Sequence, residues 1–355
     1  MTRINRVLEI MAREQVDCVI IKDITTIRYL SGFSGDSSLL YLDRNQGILV
    51  TDGRYTEQAK QEMKFVQVLE YKAEGANSIW KAALELAKDA KSIGFDGAWY
   101  SFEDYRVLQE LAAPKPVKSL DFSAIRMVKD KRELDLLLKA ARIGDEAFMQ
   151  LLPEIKPGMS ELELAARLEY YMRCLGSEKT SFDTIVASGA RGALPHGMAT
   201  DKLVEVGDFI TFDFGAVYKG YHSDMTRTVL VGMALPWHKE IYTVVEEAQL
   251  KGLKAARSGM TGQELDAIVR KSIEDCGYGE YFVHGLGHGV GLEIHELPNI
   301  NKRGSITLET GMIFTIEPGI YIPGKGGVRI EDTVVLTGAG ARALNGVRKQ
   351  LIEIV

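Results

Sequence analysis

Residues 157–176 read PGMSELELAARLEYYMRCLG, and residues 258–277 read SGMTGQELDAIVRKSIEDCG. At a shift of 101 residues, Gly158, Met159, Ser160, Glu163, Leu164, Ala166 and Gly176 fall on Gly259, Met260, Thr261, Glu264, Leu265, Ala267 and Gly277. An internal repeat of this kind decides the architecture before any single motif does. Both copies open with a capping box, Ser160…Glu163 and Thr261…Glu264, in which a hydroxyl and a carboxylate satisfy the free N–H groups of a first helical turn. Both close on glycine, suited to the left-handed residue that follows a helix. Upstream, at the same shift, Asp145-Glu146-Ala147 matches Glu246-Glu247-Ala248.

The repeat continues into strands. EVGDFITFDFG (205–215) aligns with ETGMIFTIEPG (309–319), now shifted by 104 residues. Each half therefore reads helix, helix, β-hairpin. The expected fold is α+β, with two pseudo-twofold halves packing their strands into one curved antiparallel sheet backed by helices.

The hairpins carry acids. Alternate side chains of a strand share a face, so Asp213 sides with Thr211 while Ile210, Phe212 and Phe214 occupy the other face. A turn near Lys219-Gly220 predicts Asp224 roughly opposite Asp213, and the second hairpin repeats the pattern with Glu317 and Glu331. Four carboxylates converging in apolar sequence repel one another and lose hydration unless protons or cations compensate. Two divalent ions answer that charge, and such a pair activates water and polarises a carbonyl. Any one of these acids alone reads as a solvent-facing strand residue; four in matched places do not.

A nitrogen ligand is at hand in YFVHGLGHGVGLEIHE (281–296), where His284, His288 and His295 sit among glycines that permit close backbone approach. His196 follows Leu-Pro in the first half. His222 and His238 read as surface or supporting residues. No cysteine clusters with these groups, which argues against a structural zinc site. Oxygen-rich ligation with one imidazole suits Mn²⁺, Co²⁺ or Fe²⁺, with Zn²⁺ also open.

The 355-residue chain has room for two domains. Its first third alternates helical and strand-like runs: a helix over 1–15, strands at Cys18–Ile21, Ser38–Leu42, Gly47–Thr51, Phe65–Leu69 and Ser92–Phe95, and helices at Tyr55–Met63, Ser78–Lys88 and Phe102–Leu111. That is a smaller α/β domain, 1–125, ahead of a repeat-containing domain, 126–355. The SGFSGDSS loop lacks phosphate-cradle spacing. A net charge of −6 argues against nucleic acid as a partner. No apolar run is long enough to span a bilayer, and the charged opening segment predicts no secretory signal. Three widely spaced cysteines, each read as a buried thiol, fit the reducing cytoplasm.

The motifs ASGARGALPHG, DFGAVYKGYHSDMTRT, HGLGHGVGLEIHE and TIEPGIYIPGKGGVRIED together resemble the pita-bread metallopeptidases, in particular the Xaa-Pro dipeptidase (prolidase) and aminopeptidase P branch, and the likeness runs over essentially the whole chain. It implies a creatinase-like N-terminal domain before a dimetal catalytic domain, and a homodimer. It implies five ligands, Asp213, Asp224, His288, Glu317 and Glu331, with Asp224 and Glu331 bridging two divalent ions, Mn²⁺ or Co²⁺ foremost. His196, His284 and His295 would surround a proline-containing di- or oligopeptide, Arg329 would shape the proline side, and Glu317 would relay a proton. A hydroxide shared by the ions would then open the Xaa-Pro bond. Arg54 and Tyr55 read either as helix-start packing or as groups reaching a neighbouring subunit. The rival readings are a general aminopeptidase or other hydrolase on the same site, and a binding protein that reuses the fold.

Overall fold

A computed structural model describes residues 3–63 and 66–355. Its contacts divide the chain into Met1–Arg126 and Met127–Val355.

The first unit is a six-stranded mixed sheet with helices. Its strands are β1 (Cys18–Ile21), β2 (Ser38–Asp43), β3 (Gly47–Thr51), β4 (Gln67–Glu70), β5 (Ile93–Asp96) and β6 (Val117–Leu120), in the order β4-β3-β2-β1-β5-β6. β1 is central and all four of its residues are buried, as an uninterrupted apolar run requires. The helices are α1 (Arg3–Glu14), α2 (Ile24–Ser31), α3 (Thr56–Glu62), α4 (Ser78–Leu86) and α5 (Phe102–Ala112). Residues 1–2 of the expected first helix and Phe65 of the expected strand lie outside the described residues. Two elements escaped the sequence pattern. α2 is short and rich in threonine, and it stands on its cap: Asp23 Oδ1 accepts from Thr25 N (3.0 Å) and Oδ2 from Thr26 N (2.9 Å). β6 follows Pro114 and Pro116, which read as a break.

The second unit shows the repeat. Helices α6 (Lys131–Leu151) and α7 (Glu161–Cys174) belong to the first half, α8 (Pro236–Ala255) and α9 (Gly262–Glu274) to the second. Gly176 and Gly277 adopt φ +102° and +84°, the left-handed ends expected of them. The Thr261…Glu264 box is complete, whereas Ser160 receives Glu163 N without the return bond. Glu163 pairs instead with Arg167, at 2.7 Å. Each half has its own core. In the first, Phe148 meets Phe212 edge-to-face and stacks on Phe214, each with ring centroids 5.5 Å apart. In the second, Val245, Leu265, Val269, Phe314 and Ile316 pack together.

The strands of the first half are β7 (Ile185–Ser188), β8 (Phe209–Phe214), β9 (Val217–Tyr218), β10 (Tyr221–His222) and β11 (Met225–Val231). Those of the second are β12 (Gly287–Gly289), β13 (Glu296–Ile300), β14 (Ile313–Ile316), β15 (Gly319–Ile322), β16 (Gly326–Arg329), β17 (Asp332–Thr337) and β18 (Gly340–Ala343), followed by β19 (Ile352–Ile354). They form sheets ordered β19-β11-β8-β7 and β13-β12-β14-β17-β18, with β9-β10 and β15-β16 as small ribbons. Pairing is antiparallel except that β19 runs parallel to β11. The sheets meet along β11, where Glu331 N donates to Thr226 O at 3.1 Å and Thr228 Oγ1 donates to Arg329 O at 3.0 Å.

Arg227 crosses that seam fully buried. It donates to Thr226 O, Glu331 O, Asp332 Oδ1, Val347 O and Arg348 O, so all five of its N–H groups are matched. Two minor expectations are corrected. His222 and His238 are buried, the one beside Ser181 Oγ at 2.9 Å, the other accepting Leu235 N at the start of α8. Of the cysteines only Cys18 is buried; Cys174 and Cys276 lie at or beyond helix ends and are exposed.

Candidate metal centre and active site

Each acid stands where a strand begins or ends. Asp213 is the penultimate residue position of β8, Asp224 immediately precedes β11, Glu317 immediately follows β14, and Glu331 immediately precedes β17. The register corrects one expectation: Asp213 faces Thr226, not Asp224. The β9-β10 ribbon keeps the same register, Tyr218 opposite Tyr221 and Val217 opposite His222, so the two-residue turn at Lys219-Gly220 leaves Asp224 two places before that partner. Tight backbone packing supports both acids' neighbours. A side chain on Gly215 would meet Ser223 O at 1.8 Å, and one on Gly319 would meet the Tyr321 hydroxyl at 2.5 Å.

Ligand atoms of Asp224, His288 and Glu331 all lie within 4.8 Å of one another. His288 Nε2 is 3.5 Å from Asp224 Oδ2 and 3.5 Å from Glu317 Oε1. Hydroxyls orient the second half's acids: Thr226 Oγ1 donates to Glu331 Oε2 at 2.7 Å, and Thr315 Oγ1 to Glu317 Oε1 at 3.0 Å. Asp213 stands to one side, paired with Arg329 Nη2 at 2.6 Å.

Burial followed by mutual repulsion raises the acids. Asp224 and Glu331 are held well above the ordinary carboxyl range, and Glu317 is pushed up to about 8. Burial drives His288 down to about 4, so its ring is neutral at pH 7. With Nδ1–H donating to Gly289 O at 3.0 Å, the Nε2 lone pair faces carboxylate oxygens. Lone pair against oxygen is repulsive unless a cation or proton stands between them. Glu331 Oε1 and Asp213 Oδ1 are also buried without a hydrogen-bond partner. Orphaned oxygens around an imidazole lone pair fit a hard or borderline divalent ion.

The histidines divide into two kinds. His295 and His196 are exposed; the His295 ring packs against His288 with centroids 4.3 Å apart, and His196 is an electrostatic neighbour of both His284 and His295. His284 is enclosed, and burial lowers it to about 4. Its Nδ1 donates to Gly285 O (2.7 Å), leaving Nε2 to accept from the Tyr321 hydroxyl (2.8 Å). Tyr321 in turn accepts from Arg329 Nη1 at 2.7 Å. Arg329 also donates to Thr226 Oγ1 and Pro195 O, so four of its five N–H groups go to protein acceptors. It is 2% exposed. Its bonds to Asp213 and Tyr321 tie the carboxylate of the first half to the β15-β16 ribbon of the second. Tyr321 was missed in the sequence, although its spacing four residues after Glu317 puts it on the β15-β16 ribbon that returns to the site.

The model of metallopeptidase family M24 matches residues 135–338, and that of the creatinase/prolidase N-terminal domain matches residues 3–128. The chain belongs to metallopeptidase family M24. This M24 chain is 41% identical to a Xaa-Pro dipeptidase of Pyrococcus furiosus over 353 residues, 99% of each chain. Among solved structures it resembles a Xaa-Pro dipeptidase from Bacillus anthracis (40% identity, TM-score 0.95, 99% of both chains). It also resembles an X-Pro aminopeptidase from Thermotoga maritima (40% identity, TM-score 0.90, 100% of both). The pita-bread fold with its α/β N-terminal domain is thereby established, and so is the peptidase class.

Proposed function

We propose that this M24 protein is a divalent-metal exopeptidase that hydrolyses the bond between an N-terminal residue and proline. The observation that carries this is the neutral His288 Nε2, 3.5 Å from oxygens of Asp224 and Glu317, in a site where Glu331 Oε1 and Asp213 Oδ1 are buried without partners, within a chain that aligns end to end with a Xaa-Pro dipeptidase. Asp224, His288, Glu317 and Glu331 hold the ions, with Asp213 completing the set beside Arg329; Mn²⁺ or Co²⁺ suits the donors best. Ions held there supply a nucleophile from water at neutral pH and a Lewis acid for the scissile carbonyl.

The chain's own groups do the rest. Glu317 is half-buried while Glu331 is sealed, so Glu317 is the acid a substrate can reach, and it moves the proton toward the departing proline nitrogen. His295, exposed and neutral, donates its N–H to the developing oxyanion. His196 lines the substrate side. His284 has both nitrogens engaged and therefore works by holding Tyr321. Asp213 faces the substrate's free amino group, which limits cleavage to the first bond. Proline lacks the N–H that most peptidases grip, so its ring must be recognised by shape.

The protein works as a homodimer in the cytoplasm, and the N-terminal domain of the partner subunit limits the length of peptide admitted. The test compares turnover of Ala-Pro, a longer Xaa-Pro-Xaa peptide and Ala-Ala by the metal-loaded enzyme. Cleavage of both proline peptides at the first bond, or of Ala-Pro alone, sustains it. Equal turnover of Ala-Ala would overturn the proline assignment in favour of a general aminopeptidase.

A further inference from the structure

His284 belongs to a short segment, Phe282–Leu286, with little regular structure of its own, yet its ring must meet Tyr321 within hydrogen-bond distance. One ion pair on α9 holds that segment at three alternate residues. Arg270 Nη1 donates to Phe282 O at 2.8 Å, and Nη2 donates to His284 O at 2.7 Å. Asp266 Oδ1 accepts from Leu286 N at 3.0 Å. The two side chains clamp each other twice, Nε to Oδ2 at 2.9 Å and Nη2 to Oδ1 at 3.0 Å. The guanidinium also lies 4.1 Å from the Phe282 ring centroid. Side-chain exposures are 9% for Arg270 and 2% for Asp266.

We infer that Asp266 and Arg270 are positioning residues for the reaction, fixing the backbone that presents His284 to Tyr321. Only a guanidinium fits this task. Its planar fork reaches a carboxylate twice and two carbonyls at once from three nitrogens, whereas the donors of an ammonium all radiate from one. Asp266 and Arg270 stand one helical turn apart on α9, the spacing at which two side chains meet on one helix face. The inference rests on His284 serving catalysis, as proposed above, and the test separates the two.

Arg270→Lys keeps the charge and Asp266→Asn keeps the acceptor for Leu286 N, so both retain the packing. Each is measured on Ala-Pro with saturating Mn²⁺, alongside His284→Ala and the double variants, with bound metal and melting temperature as controls. We expect kcat to fall about tenfold in each single variant with KM nearly unchanged and metal content intact, the pattern of an interaction made in the transition state. In the His284→Ala background, the same substitutions should change kcat less than twofold. If His284→Ala alone leaves kcat unchanged, the role of His284 fails. If His284→Ala slows turnover but Arg270→Lys and Asp266→Asn do not, or do so by the same factor in both backgrounds, the positioning role is overturned. Should Arg270→Lys fold poorly, Asp266→Asn carries the comparison.

Discussion

The two halves of the catalytic unit are copies as scaffolds and unlike as chemistry. Each offers two helices, one core and a pair of acids at strand ends. Yet the first half's acids are aspartates with one exposed loop histidine near the site, while the second's are glutamates oriented by threonine hydroxyls, with three histidines in a glycine-rich stretch. The charge balance crosses between them: Arg329 of the second half pairs with Asp213 of the first, and Thr226 of the first orients Glu331 of the second. Pseudo-symmetry thus builds the platform, and departures from it build the site.

The sharpest way to break the comparison is to remove one acid from each half. Asp224→Asn and Glu331→Gln should each cut turnover roughly 10³-fold or more, the scale seen when an essential group leaves a catalytic set, and should lower bound metal measured by elemental assay. Stability of the metal-free protein should move the other way. Asp224, Glu317 and Glu331 have folded pKa values above those of the unfolded chain. Their contribution is therefore complete below about pH 4 and is lost as pH rises through about 8 for Glu317. With chelator present, melting temperature should fall from pH 6 to pH 9, and Glu331→Gln should flatten that fall. A pH-independent melt would mean the acids do not repel one another.

The histidines give a second contrast. His295→Ala should lower kcat about 10²-fold, the worth of one oxyanion donor. His196→Ala should act chiefly on KM, because its exposed loop has no ring contact with a metal ligand. Steady-state kinetics on Ala-Pro would read both, and equal effects on kcat would erase the distinction.

The loops that carry these histidines are tethered differently. In the first half one fully buried carboxylate does the holding: Glu161 accepts from Ser188 N and Oγ, Arg191 Nη1, and Thr200 N and Oγ1. Glu161→Gln should destabilise the protein by about 2 kcal/mol in urea unfolding, the value of charge-assisted hydrogen bonds. The smallest contrast lies in the caps. Thr261→Ala, which opens a complete box, should cost about 1 kcal/mol, and Ser160→Ala about half of that, since Glu163 already turns to Arg167. Matching losses would show the return bond to be worth little.

These contrasts mark what the sequence could and could not express. The repeat was legible because capping residues and glycines act locally, and the acids because alternation in Phe209–Phe214 fixes which face they take. The partner of Asp213 depends on the exact centre of the turn: a tight two-residue turn at Lys219-Gly220 pairs Tyr218 with Tyr221 and Asp213 with Thr226, and a turn placed one residue earlier would have set Asp224 there. Tyr321 and Arg270 were invisible for another reason: an aromatic in a strand and a basic residue on a helix are ordinary, and only the fold brings them to His284. In the N-terminal unit, a helix of eight residues carried by Asp23 showed too few turns to register as a periodicity.

Arg227 makes the halves inseparable. The residue directly after Glu331 is Asp332, which receives this guanidinium, whereas the residue directly after Asp224 is Met225. A chain assembled from two first halves would set a bare cation against a thioether in a dry interior. It would also lack the Val347 and Arg348 carbonyls near the chain's end, which close the remaining donors. What began in the sequence as interchangeable modules is, in three dimensions, a lock and its only key.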